Sequence, residues 1–225
     1  MDYDFKELSI KIFILLIIYY IIDKYPDLKK YTDETRFNMY RSVMCFAFTC
    51  MGLHIGINHL FNGIAHPFSF KHRDMDEIQY VFMAYLIIDL LKLIGSKSNR
   101  WDLYAHHIVV IISILLGLSI GKYGYLFTCV LICESISIVT GPDAMAMEDN
   151  NNYESYLYKL YRKRIIKYIR MPMWILLFIF TFKYTNKCPP ELWYTGIIFP
   201  VILLLLDTYW SNKCDKIIKK YENKN

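Results

Sequence analysis

Two adjacent histidines, His106 and His107, stand at the head of an apolar stretch that follows the charged run Arg100-Trp101-Asp102. Imidazole exchanges a proton near neutral pH, and it serves as a base or as a nucleophile toward an acyl group. Four more ionisable residues lie inside or near the ends of apolar stretches: Arg41, Asp89, Glu134 and Asp207, with Ser137 almost one helical turn beyond Glu134. A carboxylate beside an imidazole fixes its tautomer and steadies the charged ring. His106, His107, Glu134 and Asp89 are therefore the candidate catalytic set, and Arg41, Ser137 and Asp207 complete the polar group. Neighbouring residues on a helix point about 100° apart, so the two histidines cannot both face one point. One is expected to reach a substrate and the other to meet a neighbouring helix or a carboxylate. The competing reading of the charged residues is an internal salt-bridge network, with Arg41 and Asp207 free to snorkel toward the surface.

The elements that must position these residues are membrane spans. The chain is 55% hydrophobic and 17% aromatic, in apolar blocks separated by short charged loops. Residues 37–61, 77–95, 103–120, 125–141, 171–182 and 191–210 read as spans, and 8–22 as a shorter possible extra one. Pro142 is expected to end the fifth span. Residues 153–170 alternate Tyr, Leu and Ile with Arg and Lys, the pattern of an amphipathic helix lying on an anionic membrane surface. The fold expected is an all-α integral membrane protein, a barrel-like bundle of about six to seven transmembrane helices. The six cysteines make no disulfide framework, and the acidic start predicts no removable signal peptide.

Loop charge orients the bundle. Of the 26 lysines and arginines, 18 fall on one side of a seven-span arrangement and 7 on the other, with Lys92 inside a span. The positive-inside rule puts the richer side, and the C-terminus, in the cytosol. Cys214 and Cys188 then lie on opposite sides. At about 1.5 Å per residue, Arg41, Asp89, His106, His107, Glu134 and Asp207 fall within roughly two turns of one depth, just under the cytosolic headgroups. Such groups are expected to face one another and a common cavity. The net charge of +5 marks helix ends and lipid contacts, so no nucleic acid partner is expected. His54, His59, His66 and His72 lie toward the opposite side, so no metal site is expected at the histidine pair.

Tyr85-Leu86-Ile87-Ile88-Asp89, then Asp102-Leu103-Tyr104-Ala105-His106-His107-Ile108-Val109, then Glu134-Ser135-Ile136-Ser137 and Asp207-Thr208-Tyr209-Trp210 follow one another at span spacing. In this the chain resembles the TLC-domain family, which includes ceramide synthases and smaller multi-pass lipid-related proteins. The resemblance covers residues 32–217 as the TLC domain, after a 1–31 segment with the possible extra span and before a basic cytosolic tail at 218–225. It implies a helical barrel around a lipid-accessible cavity, in the endoplasmic reticulum or a host-derived internal membrane. It also implies a protein that binds or handles membrane lipids. The ceramide-synthase branch implies more: acyl transfer from acyl-CoA as co-substrate to a long-chain base, with His106 and His107 in the place of the paired histidines and Glu134 in that of the first downstream acid. Ser137 stands where that branch has a second acid, and Val110 replaces a hydroxyl-bearing residue. No extra N-terminal domain is expected. These departures point to the smaller relatives. The third expectation is a structural or chaperone-like membrane protein without catalysis. No bound cofactor is expected.

Overall fold

The structure is a computed structural model that describes residues 4–62, 75–96, 99–120, 124–183, 185–187 and 190–223. Most of the 62–76 loop, with His66 and His72, lies outside the described residues, as do Lys97 and Cys188. Among the described residues every element is helical. The α-helices are α1 (Phe5–Asp23), α2 (Asp33–Asn62), α3 (Met75–Gly95), α4 (Trp101–Ile120), α5 (Gly124–Cys133), α6 (Thr140–Glu148), α7 (Asn152–Ile165), α8 (Met171–Lys183) and α9 (Pro190–Glu222). A 3-10 segment, Glu134–Val139, joins α5 to α6, and a π-helical turn, Ile166–Arg170, joins α7 to α8. Among the described residues six helical stretches are long and apolar enough to cross a membrane, so the chain has the build of a multi-pass membrane protein.

Contacts between successive neighbours close a ring: α2, α3, α4, α9, α8, α5 and back to α2. Helix α1 lies outside the ring against α2 and α3. It holds Lys6, Glu7 and Lys11 in its first two turns and is not among the six candidate spans. Phe13, Ile17, Tyr20 and Ile21 on it are exposed, while Leu15 is buried.

The ring is tight where small residues permit it. Gly52 and Gly56, four apart on α2, face α5, and a methyl group on Gly52 would come within 2.9 Å of Leu131 and 3.0 Å of Ile132. Such close backbone approach is a common way for membrane helices to gain packing, since burial from lipid gives them little hydrophobic drive. Inside the ring, Phe48, Phe82, Tyr85 and Phe127 form a chain of ring contacts 4.8–6.1 Å apart. They belong to one buried apolar cluster with Ile114, Leu131, Trp174, Leu177, Leu203 and Leu206.

Two expectations are corrected here. Pro142 does not end the fifth span, because it sits in the first turn of a new helix, α6, where its missing N–H costs little. The 153–170 segment is not a separate surface helix. It continues through the π turn into α8 as one 32-residue stretch, and its Lys159 is buried against Asp143 of α6. Its amphipathic pattern partly serves contact with α6 and α9. At about 1.5 Å per residue the 32-residue stretch and the 33-residue α9 are each roughly 50 Å long, well beyond an apolar core of about 30 Å. Their basic ends pair beyond it through stacked Tyr156 and Tyr221, 4.6 Å apart, and through Lys163 on Asp215.

Candidate functional site

The polar layer is built by four ring helices and the 3-10 segment. Arg41 comes from α2, Asp89 and Tyr85 from α3, His106 and His107 from α4, and Trp210 from α9. Glu134 is the first residue of the 3-10 segment and Ser137 lies inside it. Rewinding from α to 3-10 leaves carbonyls to be satisfied from outside, and side chains do so. Arg170 donates to the carbonyl of Cys133. Ser42 donates to the carbonyl of Ser137 at 3.1 Å and accepts from the N–H of Gly141 at 2.7 Å. Irregular backbone at membrane depth is tolerated only where protein or a cavity satisfies it. Here it turns Glu134 toward α4.

Arg41, Asp89, His106, His107, Glu134 and Ser137 all line one cavity of about 270 Å³, and Asp207 does not. Tyr85 and Leu86 wall it, and Arg100, Lys159, Arg162 and Lys213 add positive charge. A second cavity of about 820 Å³ shares Arg41, Arg100, Leu103, Thr140, Lys159 and Arg162 with the first and adds Lys92, Asp33 and Glu148. The two form a polar approach from the basic end of the bundle.

The two histidines differ in their partners. His107 donates from Nδ1 to the carbonyl of Leu103 at 2.6 Å and from Nε2 to Asp89 at 2.8 Å. Asp89 is also ion-paired with Arg41, which donates to Asn38 at 2.8 Å. His107, Asp89 and Arg41 thus form a closed network. His106 is looser. Its Nε2 is 3.5 Å from Glu134, a long ion-pair contact, and its buried Nδ1 has no hydrogen-bond partner among the described residues. Its ring meets Trp210 edge to face at 5.6 Å. Trp210 is fixed by donating from Nε1 to Asp102 at 2.7 Å, and Arg100 holds the same carboxylate at 2.8 Å. On its other oxygen Glu134 meets the Cys45 thiol at 3.5 Å, and Cys45 lies 3.3 Å from the hydroxyl of Tyr85.

Asp207 and Arg41 do not snorkel. Asp207 is fully buried behind the cavity wall, where it accepts from Arg170 at 2.9 and 3.1 Å and from Trp174 at 2.8 Å. A carboxylate in an apolar bundle needs such partners more than it needs the surface. Arg170 is the main residue that sequence reasoning missed, because it was counted with the loop charges. It is fully buried, and the signal for it was Trp174, four residues on and so on the same helix face. Lys159 is lost in the same count, and Asp143 and Asp102 lie in polar stretches whose spacing gives no sign that they are buried. Ser137 contributes its backbone carbonyl to Ser42 and takes no acidic role. Among the described residues no three His, Cys, Asp or Glu side chains gather as a metal site. No family model, no curated protein and no solved structure matches this chain.

Proposed function

We propose that this is a membrane protein of the TLC-domain kind that handles membrane lipids, with its basic side and C-terminus in the cytosol of an endoplasmic-reticulum-type membrane. We further propose that the handling includes chemistry: transfer of an acyl group from an acyl thioester such as acyl-CoA to an amine such as a long-chain base. The observation that carries this is His106. It is a buried imidazole on a cavity wall, loosely opposed to a carboxylate, with one ring nitrogen unclaimed. Tyr40 Oη, Gln79 Oε1, Ser135 Oγ and Arg170 Nη2 also lack a partner among the described residues, but of these groups His106 alone lines the cavity.

In this reading the thioester enters from the basic end, where Arg100, Arg162 and Lys213 meet the phosphates of its carrier. The amine nitrogen attacks the thioester carbonyl carbon, and the carbon–sulfur bond breaks. His106 accepts the proton from the amine and returns it to the departing thiolate, while Glu134 balances the imidazolium between the two steps. Amide and thiol leave, and no oxidant or reductant is needed. His107, Asp89 and Arg41 hold helices α4, α3 and α2 in register around the reacting groups. The triads Arg41–Asp89–His107 and Arg170–Asp207–Trp174 favour a structural role for those residues themselves.

The test is transfer by the full chain in lipid nanodiscs, offered acyl-CoA and a panel of amines. His106→Ala is expected to lower the rate at least about 100-fold, the usual size of a lost acid–base group, with the thermal transition retained. Wild-type protein that transfers to no amine in the panel removes the catalytic step and leaves lipid handling alone.

A further inference from the structure

The cavity has a floor, and the floor sets what it can hold. Asp89 and His107 mark the polar layer, and Tyr85 lies four residues deeper on α3, about 6 Å by helical rise. Phe82 lies seven residues deeper, about 10 Å. At that level the ring is filled. Phe48, Phe82 and Phe127 have no exposed surface, and neither does Ile114 of α4. Phe48 and Phe82 meet edge to face at 4.8 Å, and Phe82 meets Phe127 at 5.8 Å. Leu86, on the cavity wall above them, is 1% exposed.

A long membrane acyl chain spans one leaflet, about 15 Å of hydrocarbon. With its carbonyl at His106, such a chain would meet Tyr85 less than halfway down and could go no further along the barrel axis. A volume of about 270 Å³ is also at the small end for a ligand site, typically about 300–1,000 Å³.

We infer that the aromatic plug selects the substrate: the site takes a compact acyl group, of about six carbons or fewer by this scale, and Tyr85, backed by the Phe82 ring at 6.1 Å, sets the limit. This rests on the acyl-transfer reading and names its donor class as short-chain acyl thioesters.

The experiment is binding of straight-chain acyl-CoA, acetyl through palmitoyl, to the full chain in nanodiscs without an amine, each affinity read against free coenzyme A. Affinity is expected to rise to about hexanoyl, roughly fourfold per added methylene buried, and to fall beyond it. Phe82→Ala opens space under the cavity and is expected to move the optimum up by about two to four carbons. Phe82→Leu, a gentler change, moves it the same way by less, and Leu86→Phe moves it down. Palmitoyl-CoA binding as tightly as hexanoyl-CoA, with no response to either Phe82 variant, overturns the inference, because the chain then leaves through the barrel wall. Failure of every thioester to bind beyond free coenzyme A overturns it together with the acyl-transfer reading. The short-chain profile without transfer to any amine removes the transfer and leaves the selection standing.

Discussion

Both nitrogens of the His107 ring meet acceptors, so nothing on that ring is left to take a proton from a substrate. Its removal strands Asp89 with half of its partners in a low-dielectric interior. Changing His107 to Ala, or Asp89 to Asn, is expected to destabilise the protein by about 3–5 kcal/mol, the cost of breaking a buried charged pair. His106→Ala removes only a 3.5 Å contact and an edge-to-face ring pair, and is expected to cost less than about half of that. Thermal unfolding of the three variants in one detergent checks the order, and equal losses would mean that His106 is as structural as its neighbour. The polar layer was legible in the sequence because helical rise converts residue number into depth. Partner choice was not. Asp207 is paired with Arg170, which is 37 residues away and on the preceding span, and no local pattern couples them.

At the scale of elements, the 3-10 segment decides where Glu134 points, and α2 braces that segment. Ser42 satisfies its loose backbone, and a methyl group on Gly141 would come within 2.7 Å of the Cα of Met39. A bulkier residue at Gly52 pushes α5 outward and carries Glu134 with it. Gly52→Val is therefore expected to destabilise by about 1–3 kcal/mol through overpacking, and to weaken transfer more than the change in stability explains. Gly52→Ala gives the same sign with a smaller size. Transfer measured at a temperature where both variants remain folded checks this, and unchanged activity would uncouple the α2–α5 contact from the site. The spans themselves were legible from apolar length. The break within the fifth was not, since Pro142 reads as a terminator unless a new helix is known to begin at Thr140.

For the whole molecule, the long basic ends of α7 and α9 stand beyond the apolar core, over the approach to the cavity. Cys214 is buried among them and is a poor reporter of sidedness. Lys220 is exposed near the end of α9, so Lys220→Cys in otherwise cysteine-free protein is expected to react with an impermeant maleimide from the cytosol. Reaction only from the opposite compartment would invert the orientation and leave the site facing away from cytosolic thioesters. The polar cavity and the aromatic plug divide the barrel unequally along its axis. The cavity opens toward the basic end and brings that compartment close to the ionisable layer, while apolar side chains from the ring helices seal the other end. A membrane voltage therefore falls almost entirely across the plug. His106, Glu134 and Asp89 sit at the potential of the basic compartment, and little of the roughly 2.3 kcal/mol that 100 mV exerts on a unit charge crossing the whole membrane acts on them. Proton movement at His106 should proceed at the same rate in polarised and depolarised vesicles, in a bilayer that the protein does not make leaky.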